Sequence, residues 1–154
     1  KLVGYDKEND IAVLKVDETG LPAATFGSSD LLTVGDKVYA IGNPLGLELR
    51  STFTDGIVSY VDRSVEVDGF TMTLLQTNAA LNSGNSGGPL VNQYAQVIGI
   101  NSAKLVNTQY EGIGFAIPIN KARTIAESII EKGYVLFSFL RILFSLRRSI
   151  RLFI

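Results

Sequence analysis

Leu81-Asn82-Ser83-Gly84-Asn85-Ser86-Gly87-Gly88-Pro89-Leu90 is the stretch whose reading decides the fold of this 154-residue chain. A serine attacks a carbonyl only when its hydroxyl is exposed on a tight turn and backbone N–H groups point at the developing oxyanion. Glycines on both sides of Ser86 supply such a turn. Gly84 admits backbone conformations closed to other residues, so its N–H and that of Ser86 can converge on one point. Gly87 and Gly88 leave room for a substrate. A bare G-x-S-x-G string is also what ordinary turns are made of, whereas the full G-N-S-G-G-P-L between two strand-like runs is far more specific. The nucleophile elbow of α/β-hydrolases shares the short pattern, but there the serine sits between a strand and a helix. Gly87-Gly88-Pro89 is a poor start to a helix interior. That elbow also needs an acid and then a histidine downstream, and the chain has no histidine.

Outward from this loop, Lys1 to Ile117 reads as short runs rich in Val, Ile and Thr, punctuated by Gly, Asn, Asp and Pro. This is an all-β pattern. The candidate strands are Ile11 to Val16, Lys37 to Ile41, Ser51 to Val61, Phe70 to Thr77, Pro89 to Val91, Val97 to Ser102 and Gly112 to Ala116. Breakers at Gly35-Asp36, Gly42-Asn43-Pro44 and Asp68-Gly69 separate them, and many short strands with Gly-rich corners predict a barrel or sandwich. One helix follows, from Lys121 to Lys132, because Ala122, Ile125, Ala126, Ile129 and Ile130 recur at helical spacing. Asn120 is its expected N-cap and Gly133 its C′ residue.

The chain is 46% hydrophobic and 19% charged, enough to bury a core within about one domain. Its net charge of −1 provides no general attraction for nucleic acid. The absence of cysteine and histidine excludes disulfides, thiol catalysis and nearly every zinc or haem site, so no metal and no cofactor are expected. All 15 acidic residues precede residue 134, whereas Arg141, Arg147, Arg148 and Arg151 follow it. We therefore divide the chain into a domain at 1–134 and a basic apolar tail at 135–154. The arginines make the tail a poor membrane span. A membrane-lying helix is one reading of it, and non-native sequence or a truncated linker the preferred one. With Lys1 entering a strand-like run at once, the chain reads as a piece of a longer protein.

The ordered motifs resemble the HtrA (Deg) family of chymotrypsin-fold serine endopeptidases, over about Lys1 to Tyr134. They are Asp10-Ile11-Ala12-Val13-Leu14-Lys15-Val16, Gly27-Ser28-Ser29, Ala40-Ile41-Gly42-Asn43-Pro44-Leu45-Gly46 and Gly56-Ile57-Val58-Ser59. Gln76-Thr77 with the Ser86 loop, Val97-Ile98-Gly99-Ile100-Asn101 and Gly112-Ile113-Gly114-Phe115-Ala116-Ile117-Pro118 complete the set. The resemblance implies a chymotrypsin-like double β-barrel, mainly the C-terminal barrel with part of the N-terminal one, and a C-terminal α-helix. It makes Ser86 the nucleophile and Asp10 the buried acid that orients a histidine. It places the oxyanion hole at Gly84 and Ser86 with help from Asn85. In the family that histidine precedes the aspartate by some tens of residues and falls outside this chain, so the chain alone is expected to be inert. One departure is Asn78, where the family usually has Asp after Gln-Thr.

Ile100-Asn101-Ser102-Ala103 is the expected edge strand for substrate backbone. It carries no charge, and Thr77 to Ser83 carry no acid, which predicts small or medium apolar side chains before the scissile bond. The resemblance further implies unfolded or misfolded protein substrates, trimers in the intact parent, and an extracytoplasmic site in the bacterial envelope. A second reading is a non-catalytic chymotrypsin-like module for peptide or chaperone-like binding, with Ser86 vestigial. The intact Ser86 loop favours the enzyme.

Overall fold

In Lys37-Val38-Tyr39-Ala40-Ile41-Gly42 the two-residue period of an extended chain sends Val38 and Ala40 to one face and Tyr39 and Ile41 to the other. Both faces are used, which requires apolar partners on two sides. The computed structural model describes residues 1–43, 52–67, 69–102 and 112–135. In chain order its elements are β1 (Leu2–Asp6), β2 (Ile11–Leu14), β3 (Thr25–Phe26), a 3-10 turn (Ser29–Leu31), β4 (Lys37–Gly42), β5 (Thr52–Val67) and β6 (Phe70–Thr77). Then come β7 (Pro89–Asn92), β8 (Gln96–Ser102), β9 (Gly114–Pro118) and α1 (Ile119–Lys132).

Antiparallel pairing runs β4–β5–β6–β9–β8–β7 and returns from β7 to β4. These strands form a closed barrel, which removes their free edges. Val38, Ala40, Val58, Leu75, Ala79, Leu90, Ile98 and Ala116 form one buried cluster. A second cluster joins Ile11 and Val13 of β2 to Val67, Met72, Leu74, Val91, Val97 and Ile117 of the barrel strands and to the apolar face of α1. The hairpin β1–β2 is a separate two-stranded sheet, held to the barrel by this second core. The fold is the expected all-β barrel with a C-terminal helix and a small part of a second sheet.

Several boundaries differ from the sequence reading, each for a physical reason. Strand β5 continues to Val67 rather than stopping at Val61. It absorbs register shifts between Val58 and Arg63, with Asp62 at φ 57°, so its side-chain alternation is interrupted where the pairing is not. Strand β1 is the strand-like run that begins next to Lys1, whereas β3 is not among the expected strands and exists only by its parallel pairing with Gln96 and Val97 of β8. The last strand is Gly114–Pro118 rather than Gly112 to Ala116.

The helix starts at Ile119, and Asn120 is inside it. One first-turn N–H is served from elsewhere, Asn120 N donating to Ser29 Oγ at 3.2 Å, while the side chain of Asn120 donates through Nδ2 to Ser28 Oγ at 3.3 Å. A hydroxyl from the 3-10 turn thus replaces a local cap. At the other end Gly133 takes φ 80° as expected, its N–H reaching Ile129 O. Ile130 is exposed, and the buried face is Ile119, Ala122, Ile125, Ala126 and Ile129. Residues 44–51, 68, 103–111 and 136–154 lie outside the described residues, and with them Pro44-Leu45-Gly46, Ala103 and nearly all of the proposed tail. Among the described residues no helix is long and apolar enough to cross a membrane.

Hairpin and helix meet at Gly4, where a Cβ would lie 2.7 Å from Ile129 Cγ2 and 3.1 Å from Gly133 O. Gly4→Ala is expected to destabilise the chain by about 1–3 kcal/mol through overpacking, and Ile129→Ala by about 2–5 kcal/mol through cavity formation. Because the two changes share one contact, the double variant should lose about 0.5–3 kcal/mol less than the sum of the two. Urea unfolding of the four proteins measures this; strict additivity would place the hairpin away from α1.

Candidate active site

The segment leading from β6 to Ser86 is tied down by side chains. Thr77 Oγ1 donates to Ile57 O at 2.8 Å, and Asn78 Oδ1 accepts from Ile57 N at 2.7 Å. Asn78 therefore has an observed role as a neutral acceptor for the β5 backbone. Farther on, Ala80 O accepts from both Thr54 Oγ1 and Asn85 Nδ2.

Asn85 is fully buried and saturated by its own loop. Its Oδ1 accepts from Asn82 N at 3.0 Å, its Nδ2 donates to Ala80 O at 3.1 Å, its N–H donates to Asn82 O, and its carbonyl accepts from Gly88 N. Those donors hold the loop together, so Asn85 shapes the site from beneath. A carboxylate here would bury a charge and demand a counter-ion, and the amide avoids that demand. Ser86, next in sequence, is exposed, as a nucleophile must be.

The loop lies close against the end of β4. A Cβ on Gly42 would fall 2.4 Å from Asn85 Cα, and one on Gly88 would fall 2.2 Å from Ile41 O. Asn43 N donates to Gly84 O at 2.9 Å. The left-handed residue of the loop is Gly87, at φ 80°, where Gly84 had been expected to use that freedom. Gly84 N–H is engaged by Asn82 Oδ1 at 3.0 Å, a side-chain turn of the kind asparagine favours. One of the two expected oxyanion donors is thus capped by a side chain of its own loop.

Asp10 ends the four-residue turn that joins the paired residues Asp6 and Ile11. It is half-buried rather than buried, and it takes φ 55°, a conformation that costs a non-glycine residue about 1–2 kcal/mol. Its Oδ2 accepts from Ser102 Oγ at 3.3 Å. Ser102 is one of the expected substrate-binding residues, and its hydroxyl faces the acid, a partnership across 92 residues that no local pattern marks.

Ile100 and Asn101 do not form an edge. Ile100 pairs with Pro89 on one side and Ile117 on the other. Asn101 N donates to Gly88 O at 2.9 Å, and Asn101 O accepts from Gly87 N at 2.8 Å. Strand β8 is therefore occupied on both flanks as far as Ser102. It also ties the segments of both candidate catalytic residues to one strand: Asn101 binds the residue after Ser86, and Ser102 binds Asp10. Asn101 is itself buried, its Nδ2 donating to Pro89 O at 3.1 Å. Among the described residues no cluster of three or more acidic side chains is placed to hold a metal ion.

Residues 1–100 match the family described as the trypsin-like peptidase domain. The serine protease Do-like HtrA of Bacillus subtilis is 49% identical over 140 residues, covering 88% of this chain and 31% of its own length. A probable periplasmic serine endoprotease, DegP-like, of Chlamydia trachomatis is 45% identical over 145 residues, covering 91% of this chain and 28% of its own. The structure of the HtrA-type protease AlgW with decapeptide superposes with a TM-score of 0.79 at 46% identity, covering 86% of this chain and 41% of that one. This chain thus spans about a third of the length of the curated relatives it matches. With the barrel, the exposed serine and the acid hanging from one strand, these matches establish that the chain belongs to the trypsin-like peptidase domain family and is similar, within it, to the HtrA-type proteases.

Proposed function

We propose that this chain is the nucleophile-bearing part of a serine endopeptidase that hydrolyses peptide bonds of unfolded or misfolded proteins. One observation carries the reading: the glycine loop that exposes Ser86 is held by Asn101 of β8, and Asp10 is held by the next residue, Ser102. In the reaction Ser86 Oγ attacks the scissile carbonyl while a histidine takes its proton and returns it to the leaving amine. Water then repeats the sequence on the acyl-enzyme. Asp10 holds that imidazole in position, and the N–H groups of Gly84 and Ser86 receive the oxyanion once Asn82 Oδ1 has released Gly84. The 154 residues contain no histidine, so the chain by itself has no general base and does not hydrolyse peptides. The relatives named as periplasmic and the family resemblance support an extracytoplasmic envelope site, and the same resemblance supports a trimer of the intact parent. Thr77 to Ser83 contain no acid, which favours small or medium apolar residues before the scissile bond.

A fluorophosphonate probe tests the reading directly, since it labels a serine only when an active base deprotonates it. The chain alone is expected to stay unlabelled, whereas a longer product of the same gene carrying a histidine ahead of Asp10 should be labelled at Ser86, with labelling lost in Ser86→Ala. An unlabelled longer product would sink the protease reading and leave the peptide-binding module.

In that longer product Ser102→Ala removes a hydroxyl bond to a carboxylate, the kind of bond worth about 1.5–3 kcal/mol. The labelling rate should fall about 10- to 100-fold. An unchanged rate would mean that the Ser102–Asp10 bond has no part in orienting the acid.

Peptides with Val or Ala before the scissile bond are expected to be cleaved at least about 100-fold faster, in kcat/KM, than the matching Lys or Arg peptides, since Thr77 to Ser83 offer no acid to pair the charge. Equal rates would place a carboxylate in the pocket from a segment beyond Thr77 to Ser83.

A further inference from the structure

Asp6 is the one charged side chain buried among the described residues, only 7% exposed, and the mechanism above makes no use of it. Its Oδ1 accepts from Glu8 N at 3.0 Å and from Asn9 N at 3.2 Å, and its Oδ2 accepts from Asn9 Nδ2 at 2.7 Å. A carboxylate is all acceptor, so three donors fit one side chain. On α1, burial lowers the pKa of Lys121, and the neighbouring Asp6 charge opposes that shift. The three hydrogen bonds stand inside the turn from Asp6 to Ile11, whose last residue is Asp10 at φ 55°. A non-glycine residue persists there only when its surroundings over-determine it. Ser102 holds the Asp10 side chain from β8, and the three bonds to Asp6 hold the backbone of the turn from within.

We infer that Asp6 is a positioning residue for Asp10: its carboxylate gathers the N–H groups of the turn and thereby sets the backbone conformation that presents the acid to Ser102. The catalytic consequence rests on the protease reading; the geometric one does not. Asp6 touches neither substrate nor reacting atoms, so its effect is transmitted through the turn. Asn at this position retains one oxygen for Glu8 N and Asn9 N, and Asn9 can turn its amide over to offer Oδ1 to the new NH2 group. Ala retains no acceptor. The two substitutions therefore separate hydrogen bonding from charge.

The test has two arms. In the chain itself, crystal structures of Asp6→Ala and Asp6→Asn are compared with the parent. Asp6→Ala should break the Asp10–Ser102 contact and move Asp10 out of its left-handed conformation, whereas Asp6→Asn should preserve both. Should Asp6→Ala fail to fold, Asp6→Ser takes its place, with one hydroxyl acceptor for two N–H groups, and is expected to show Asp10 in two conformations. An unaltered Asp10 in whichever of these folds overturns the inference.

In the histidine-bearing longer product, the fluorophosphonate reaction is resolved into probe affinity and maximal rate. Asp6→Ala should lower the maximal rate about 10- to 100-fold at unchanged affinity, and Asp6→Asn should recover most of it. A variant that only loses stability lowers the labelled fraction instead, and that result also overturns the inference. If the unsubstituted product is not labelled at all, it is the protease reading that has failed, and the crystallographic arm alone decides the role of Asp6.

Discussion

Two hydrogen-bonded partnerships at the end of β8 organise the site. Asn101 exchanges backbone bonds with Gly87 and Gly88, and Ser102 donates to Asp10. Each ties a separate piece of the chain to the same strand: a glycine loop, and a turn at the tip of a two-stranded hairpin. Strand β8 suits this task because it pairs with β7 and β9 on its two flanks and with β3 near its start. Being so constrained, it transmits little displacement from one partner to the other. That rigidity matters because catalytic geometry tolerates errors of well under an ångström.

Space is the second constraint. The loop around Ser86 can lie against β4 only because Gly42 and Gly88 lack side chains; a methyl at either place would overlap backbone atoms. Backbone cannot yield as a flexible side chain can, so these positions tolerate no larger residue without moving Ser86. The same economy appears in the choice of Asn85. It is buried and holds the loop with neutral donors and acceptors, all satisfied nearby.

These two constraints explain what could be read in the sequence. The nucleophile loop was legible because its requirements are local: small residues around a serine, next to a strand. The helix was legible from its apolar period and from Gly133, although its start was not, since Asn120 draws its partners from Ser28 and Ser29 about ninety positions away. The barrel strands were legible from alternation wherever one face is buried, and β5 was cut short where its bulges break the alternation. What escaped was long-range pairing. Nothing near Ser102 announces Asp10, and Gly84, read as an oxyanion donor from its neighbours, turns out to be held by a side chain two residues before it.

Nucleophile and acid differ in how much of the fold each depends on. Ser86 stands on a loop whose bonds close within residues 77–102 and on adjoining strands of a closed barrel. Asp10 stands on a hairpin that reaches the barrel through Ile11 and Val13 and leans on α1 at Gly4, while Leu2, Tyr5 and Leu14 face solvent. An isolated hairpin has marginal stability in water, so the position of the acid is borrowed from the helix. Loosening α1 would release Asp10 well before it disturbed Ser86. The acid half of the site is therefore where changes in stability first become changes in chemistry.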